Sequence, residues 1–201
     1  NCLAFLSVGS CNILIVNARD LPALIKEWRK HKPNIVPGVN TLFNGLLNQS
    51  SFATLDFSTL RISVGGAMAV QRAVAERWQQ VTGTPLIEGY GMTESSPVLT
   101  VNPVDNNSRI GTIGMPVPST DIRILDDSGN TLPPGAENIG EIVARGPQIM
   151  KGYWQRPDAT AETVKDGWLY TGDLGFMHPD GFFQIVDRKK DMILVSGFNV
   201  Y

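Results

Sequence analysis

Residues 60–87 constrain the fold more than any other stretch of this chain. Leu60–Val64 reads as a strand, Gly65-Gly66-Ala67 follows as a turn, and Val70, Val74, Trp78 and Val81 then recur on one helical face. Gly83 is placed to stop that helix in a left-handed conformation, and Leu86–Ile87 begins another strand. A strand–helix–strand unit of this length fits a parallel sheet with crossover helices. Upstream, Asn12–Asn17 reads as a buried strand. Asp20 is placed to cap a helix that carries Pro22 in its first turn and buries Leu21, Leu24, Ile25 and Trp28. Thr41–Asn48 reads as a short helix.

The texture changes after about Asn102. Asp121–Leu125 and Gly140–Arg145 read as short strands separated by the turn Asp126-Asp127-Ser128-Gly129-Asn130 and the break Pro133-Pro134-Gly135. Thr160–Val164 suggests a brief helix, and His178-Pro179-Asp180-Gly181 a hairpin turn before Phe182–Val186. The fold class expected is therefore α/β: a parallel sheet with crossover helices, followed by a β-rich subdomain. The division expected is residues 1–115, 116–187, and a further element from 188 to 201. The abrupt starts and stops at Asn1 and Tyr201 suggest a piece of a larger protein.

Composition adds exclusions. Seventeen basic against 19 acidic side chains leave a net charge of −2, so the chain carries no basic nucleic-acid footprint. The apolar stretch Cys2–Val16 is interrupted by Ser7, Gly9, Ser10 and Asn12, and is too short to span a bilayer. Cys2 and Cys11 lack metal-ligand spacing and read as buried thiols of a reducing compartment. His31 and His178 suit no triad or metal set and read as surface or turn residues.

Glu88-Gly89-Tyr90-Gly91-Met92-Thr93-Glu94-Ser95 is the segment best equipped for chemistry. It follows a parallel strand, at the carboxyl end where open α/β sheets bind ligands. Glycines admit close backbone approach, an aromatic face covers a base, a threonine hydroxyl bonds a phosphate oxygen, and a carboxylate holds Mg²⁺. The same residues also suit an ordinary glycine-rich turn.

Tyr90-Gly91-Met92-Thr93-Glu94 resembles the Y-G-x-T-E segment of the adenylate-forming superfamily, which includes acyl-CoA synthetases, luciferases and peptide-synthetase adenylation domains. Tyr170-Thr171-Gly172-Asp173 resembles that family's T-G-D motif. Asp187-Arg188-Lys189-Lys190-Asp191 with Gly197 and Asn199 resembles its G-R-x-K-D…G-x-N stretch. Ser63-Val64-Gly65-Gly66-Ala67 resembles the turn bordering the adenine. The wording of residues 37–44, 152–160 and 187–201 is similar to the long-chain fatty acid–CoA ligase branch.

The resemblance implies a reaction in two halves. A fatty acid carboxylate attacks the α-phosphorus of ATP, giving an acyl-adenylate and pyrophosphate. The thiol of coenzyme A then displaces AMP. It further implies that Thr93 bonds the α-phosphate and Glu94 ligates Mg²⁺. Asp173 would accept both ribose hydroxyls, with Arg188 reaching the same ribose. Tyr90 would lie against the adenine, near Gly65, Gly66 and Ala67, with Gly89 and Gly91 lining the nucleotide. Lys190 matches the hinge of the family's C-terminal domain, and Gly197 the path of the pantetheine arm. Val36–Phe43 and the residues around Gly89 and Met92–Val98 would wall the acyl tunnel.

The family's phosphate loop and late lysine are not among these 201 residues, and the chain alone is expected to be inactive. A cytoplasmic enzyme is implied, with peripheral contact at the inner membrane face and a homodimer left open. A nucleotide-binding module without catalysis, or an adenylating domain with another acceptor, would share the same motifs.

Overall fold

The structure, a computed structural model, describes residues 2–105 and 107–189. Beyond these it describes the backbone of 193–195 and 198–200, and side chains are described from residue 5 to residue 189 except 106. After α1 (Cys2–Ser7) the chain crosses an irregular segment into α2 (Leu21–His31). The Asp20 carboxylate accepts the Ala23 N–H at 3.1 Å, so the expected cap is in place, and Pro22 stands in the first turn. There follow β1 (Ile35–Gly38), α3 (Asn40–Leu47), β2 (Ile62–Gly65), α4 (Arg72–Thr82) and β3 (Leu86–Gly91). Gly83 ends α4 with φ +73° and bonds back to Gln79 O, as the sequence leads one to expect.

Strands β1, β2 and β3 pair in parallel, with Val36 opposite Ser63 and Val64 opposite Ile87. β4 (Val98–Val101) and β5 (Met115–Pro116) extend the sheet antiparallel, giving the order β1-β2-β3-β4-β5. The three longer helices supply one core: Ile25 and Trp28 from α2, Phe43, Leu46 and Leu47 from α3, Val74 and Trp78 from α4. Trp78 is its centre, meeting Phe43 edge-on at 4.8 Å and Phe52 at 5.3 Å. Its buried indole N–H donates to Ser63 Oγ at 3.0 Å, so the large ring is buried without leaving a polar group unpaired.

The second sheet comprises β6 (Asp121–Leu125), β7 (Gly140–Arg145), β9 (Trp168–Met177) and β10 (Phe183–Arg188), all antiparallel. The short β8 (Val164–Lys165) follows α5 (Pro157–Thr163) and pairs with β9. β11 (Ile193–Val195) and β12 (Phe198–Val200) form a separate hairpin. Ile113 N–H donates to Phe183 O at 2.9 Å, and Phe183 N–H to Gly114 O at 2.9 Å, joining the two sheets directly. Ile113, Ile124, Ile142 and Phe183 form the core beneath that joint, with Tyr90 packed against it.

Some local expectations are corrected. Asn12–Asn17 is not a buried strand: it is irregular, and Val16 is fully exposed. Its apolar composition carries the signal of a strand, but β1 pairs only with β2 and no ladder includes residues 12–17. Cys11 on the same segment is exposed rather than a buried thiol, while the Cys2 side chain lies outside the described residues. The brief helix near 160 begins three residues earlier, with Pro157 in its first turn, and gives way to β8 at Val164. His31 is exposed at the end of α2 beside Glu27, and His178 sits in the β9–β10 turn.

Candidate functional site

The turn after β2 and the carboxyl end of β3 lie side by side. Gly65 pairs with Glu88, and a Cβ added to Gly66 would sit 3.6 Å from Gly89 O. Ala67 takes a left-handed conformation, φ +63°, to complete the turn. Beyond β3, Thr93–Ser95 make a single 3₁₀ turn that presents Thr93 to solvent and leaves Glu94 half-buried. Ser95, fully buried, accepts the Met92 N–H at 3.0 Å and lies within 2.9 Å of the Met92 and Pro97 carbonyl oxygens. It is the internal strut of this turn.

Glu94 is tied to the segment before α5 at two points. Its carbonyl accepts the Met150 N–H at 2.8 Å, and its Oε1 accepts the Tyr153 hydroxyl at 2.7 Å. No group of three or more His, Cys, Asp or Glu side chains is placed to hold a metal ion among the described residues. A lone carboxylate suits Mg²⁺ that arrives with phosphate oxygens, because this ion keeps waters and is held by one or two carboxylates plus substrate phosphates.

The third component comes from β9. Thr171-Gly172-Asp173 forms a bulge: Glu141 of β7 pairs with Leu174 and Val143 with Tyr170, so three residues of β9 face Ile142 alone. Side chains stitch the gap. Thr171 Oγ1 donates to Ile142 O at 2.7 Å and accepts the Asp173 N–H at 3.1 Å. The Gly172 N–H donates to Glu141 Oε1 at 3.0 Å, and Gly172 holds φ +75°. Asp173 is thereby pointed at Tyr90 and Arg188. Its Oδ2 accepts the Tyr90 hydroxyl at 2.6 Å, and its Oδ1 lies 2.8 Å from Arg188 Nε.

Electrostatics follow from burial. Asp173, 2% exposed, is pushed above the usual carboxylate range by desolvation, against the pull of Tyr90 and Arg188. The Tyr90 phenol is raised well above its ordinary value by burial and by the adjoining Asp173 charge, so it remains a donor. Glu88 is pushed up to about 7 by burial, offset in part by the Val70 N–H.

The structure thus brings together Gly65, Gly66, Ala67 and Gly89 at one end, Thr93 and Glu94 at the next turn, and Tyr90, Asp173 and Arg188 across the two sheets. Gly91, at the end of β3, also meets a packing demand. A Cβ there would lie 1.8 Å from Pro97 O, so its demand for glycine is internal. Lys190 and Gly197 lie outside the described residues. A cavity of about 590 Å³ lies between the segment from Ser10 to Ile15, α2 and β1, and Val36, Pro37 and Leu42 line it. Phe43 belongs to the core against Trp78. The residues that sequence reasoning passed over are Glu141 and Tyr153. An acidic residue inside the buried apolar strand β7 is the signal for Glu141, since such residues are rarely buried without a partner.

The family model described as AMP-binding enzyme matches residues 1–154. The chain is 59% identical over all 201 residues to the long-chain-fatty-acid–CoA ligase of Yersinia pestis, and covers 35% of that relative. Among solved structures it resembles the anthranilate CoA ligase AuaEII in complex with anthranoyl-AMP, with TM-score 0.83 and 30% identity over 95% of this chain and 36% of the other. It also resembles a benzoate CoA ligase from Burkholderia xenovorans LB400, with TM-score 0.85 and 27% identity over 94% and 38%. The chain spans about a third of the length of the curated relatives it matches. With that family model spanning three quarters of its residues, the chain belongs to the AMP-binding enzyme family.

Proposed function

We propose that the protein carrying this chain is a long-chain fatty acid–CoA ligase, and that these residues form the adenosine side of its site. The observation that carries the reading is the meeting of Tyr90, Asp173 and Arg188, together with 59% identity to a ligase of that name. A carboxylate offers about four lone-pair positions, so Asp173 retains capacity for ribose hydroxyls beside its two present partners. Arg188 is set to reach the same ribose. The Tyr90 ring would cover the adenine, with Gly65, Gly66, Ala67, Gly89 and Gly91 forming the adjoining backbone.

Thr93 and Glu94 would face the phosphates. Thr93 offers a hydroxyl donor to the α-phosphate, and Glu94 a carboxylate to Mg²⁺, held in direction by Tyr153. When bound, Mg²⁺ supplies neutralisation of phosphate charge. The barrier to bringing a carboxylate onto an anionic phosphorus is mostly positional and electrostatic, which these residues serve by orientation. Lys190 is proposed as the hinge and Gly197 as part of the coenzyme A path. Val36, Leu42 and the residues near Gly89 and Met92–Val98 are proposed to contribute to the acyl wall. In this reading the protein works in the cytoplasm and meets its amphiphilic substrate peripherally at the inner membrane face. No helix among the described residues is long and apolar enough to cross a membrane.

The test is a chain-length panel of fatty acids on the full-length protein, following pyrophosphate and acyl-CoA together. Both products should appear only with fatty acid, ATP and free coenzyme A. Asp173→Ala should weaken ATP binding by roughly 10-fold or more. The isolated 201 residues should release no pyrophosphate. Nucleotide binding without turnover would overturn the ligase reading, and a requirement for a carrier protein would overturn the coenzyme A acceptor.

A further inference from the structure

Glu141 touches no residue proposed to meet a substrate, yet both of its oxygens are committed at the centre of the site. It is buried on β7 at the point where the ladder to β9 shifts register. Oε1 accepts the Gly172 N–H at 3.0 Å, and Oε2 lies 3.0 Å from Lys189 Nζ. Lys189 closes the ring through its backbone, donating its N–H to Gly172 O at 2.8 Å. Gly172 is therefore held at both its N–H and its C=O, one by Glu141 and the other by the residue that Glu141 anchors. Burial of Glu141 makes the pair stronger than a surface contact, and Glu141 in turn raises the Lys189 ammonium above its ordinary value. The exposed Asp127 lies 3.6 Å from the same ammonium and adds to it.

This arrangement has a mechanical consequence. Gly172 precedes Asp173, so whatever fixes the Gly172 peptide fixes the direction of the Asp173 carboxylate. Lys189 follows β10 immediately, so whatever fixes Lys189 fixes the exit of the chain from the second sheet. One carboxylate does both. After a register shift between Ile185 and Asp187, the β10 ladder ends with Arg188 opposite Asp173, so Lys189 is the first residue beyond it.

We propose that Glu141 is a positioning residue for adenosine-nucleotide binding, one oxygen setting the Gly172–Asp173 bulge and the other clamping the chain exit at Lys189. The proposal rests on the nucleotide-site reading for its ligand, but not for its geometry. Three variants of the full-length protein separate the two oxygens. Glu141→Ala removes both contacts. Glu141→Gln keeps an acceptor for the Gly172 N–H and loses the charge facing Lys189. Lys189→Met loses only the clamp.

The readouts are AMP affinity by calorimetry and amide hydrogen exchange at Gly172 and Lys189. Glu141→Ala should weaken AMP about 10-fold and speed exchange at both amides. Glu141→Gln should stay within about 3-fold of wild type in AMP affinity, with faster exchange at Lys189 and protection retained at Gly172. Lys189→Met should match it in exchange, and Lys189→Arg should restore protection. Equal AMP affinity in Glu141→Ala and wild type, or equal losses in the Ala and Gln variants, would overturn the proposal. Should Glu141→Ala not fold, unchanged exchange at Lys189 in both Glu141→Gln and Lys189→Met overturns it. Wild-type protein that binds no AMP would sink the nucleotide reading instead, while exchange at Gly172 and Lys189 still decides the role of Glu141.

Discussion

The Tyr90 hydroxyl donates to Asp173 Oδ2 at 2.6 Å, across 83 residues of sequence and from one sheet to the other. Tyr90 lies on β3 just past its last parallel pair at Glu88, opposite Thr100 of β4, and Asp173 occupies the bulge of the second sheet. Their contact is thus both a join between sheets and the most buried polar pair of the candidate site. Arg188 completes it from the neighbouring strand, opposite Asp173 in the β9–β10 ladder.

Tyr90→Phe should cost about 1–2 kcal/mol of stability, since it strips a hydrogen bond from a buried carboxylate that Arg188 only half satisfies. The Asp173 carboxyl, already raised by burial, should titrate higher still, because the Tyr90 bond is one of the forces holding it down. Carboxyl-carbon NMR of wild type and variant checks the direction. An Asp173 that titrates lower in Tyr90→Phe would refute this account of the pair.

Glu88 should make the protein lose stability as pH rises. Its carboxyl moves from an ordinary 4.5 up to about 7 on folding, so the folded state binds the proton more tightly. Its contribution is complete below about pH 4.5 and is lost as pH climbs through 7, by up to about 3 kcal/mol. Glu88→Gln should flatten the stability profile across that window. Urea midpoints at several pH values would reveal it, and an unchanged slope would rule it out.

Gly91 and Gly172 are both glycines of the candidate site, but for different reasons, and alanine should tell them apart. At Gly91 the new Cβ would lie 1.8 Å from the Pro97 carbonyl oxygen, and backbone must move. Gly91→Ala should cost about 3 kcal/mol or prevent folding. At Gly172 there is open space and only φ +75° to strain, so Gly172→Ala should cost about 1 kcal/mol. Thermal melts in parallel decide; equal costs would contradict both explanations.

Tyr153→Phe should leave the melting temperature nearly unchanged, because the hydroxyl and its Glu94 partner are partly solvated. In the full-length protein it should raise the Mg²⁺ concentration needed for half-maximal pyrophosphate release about 3-fold, since Glu94 would lose the group that orients it. A titration of Mg²⁺ at fixed ATP measures this.

What the sequence determined by itself was local. Asp20 and Pro22 start α2, Gly83 stops α4, and Asp126–Asn130 turns β6 toward β7, each through chemistry carried by residues within a few positions of one another. The order of parallel and antiparallel sheets followed from the same periodicities. Motifs also named Tyr90, Asp173 and Arg188 without showing that they touch.

Tertiary structure decided what depends on partners far along the chain. The apolar run Asn12–Asn17 has the composition of a buried strand and no ladder to join, so it lies open. Glu141 reads as an odd charge in an apolar strand until Gly172 and Lys189 arrive beside it. The bulge that aims Asp173 arises because β9 pairs with β7 and β10 in registers that shift around it, and no window of sequence contains all three strands. Local propensity fixes where elements start and stop; burial and register are set only when distant elements meet.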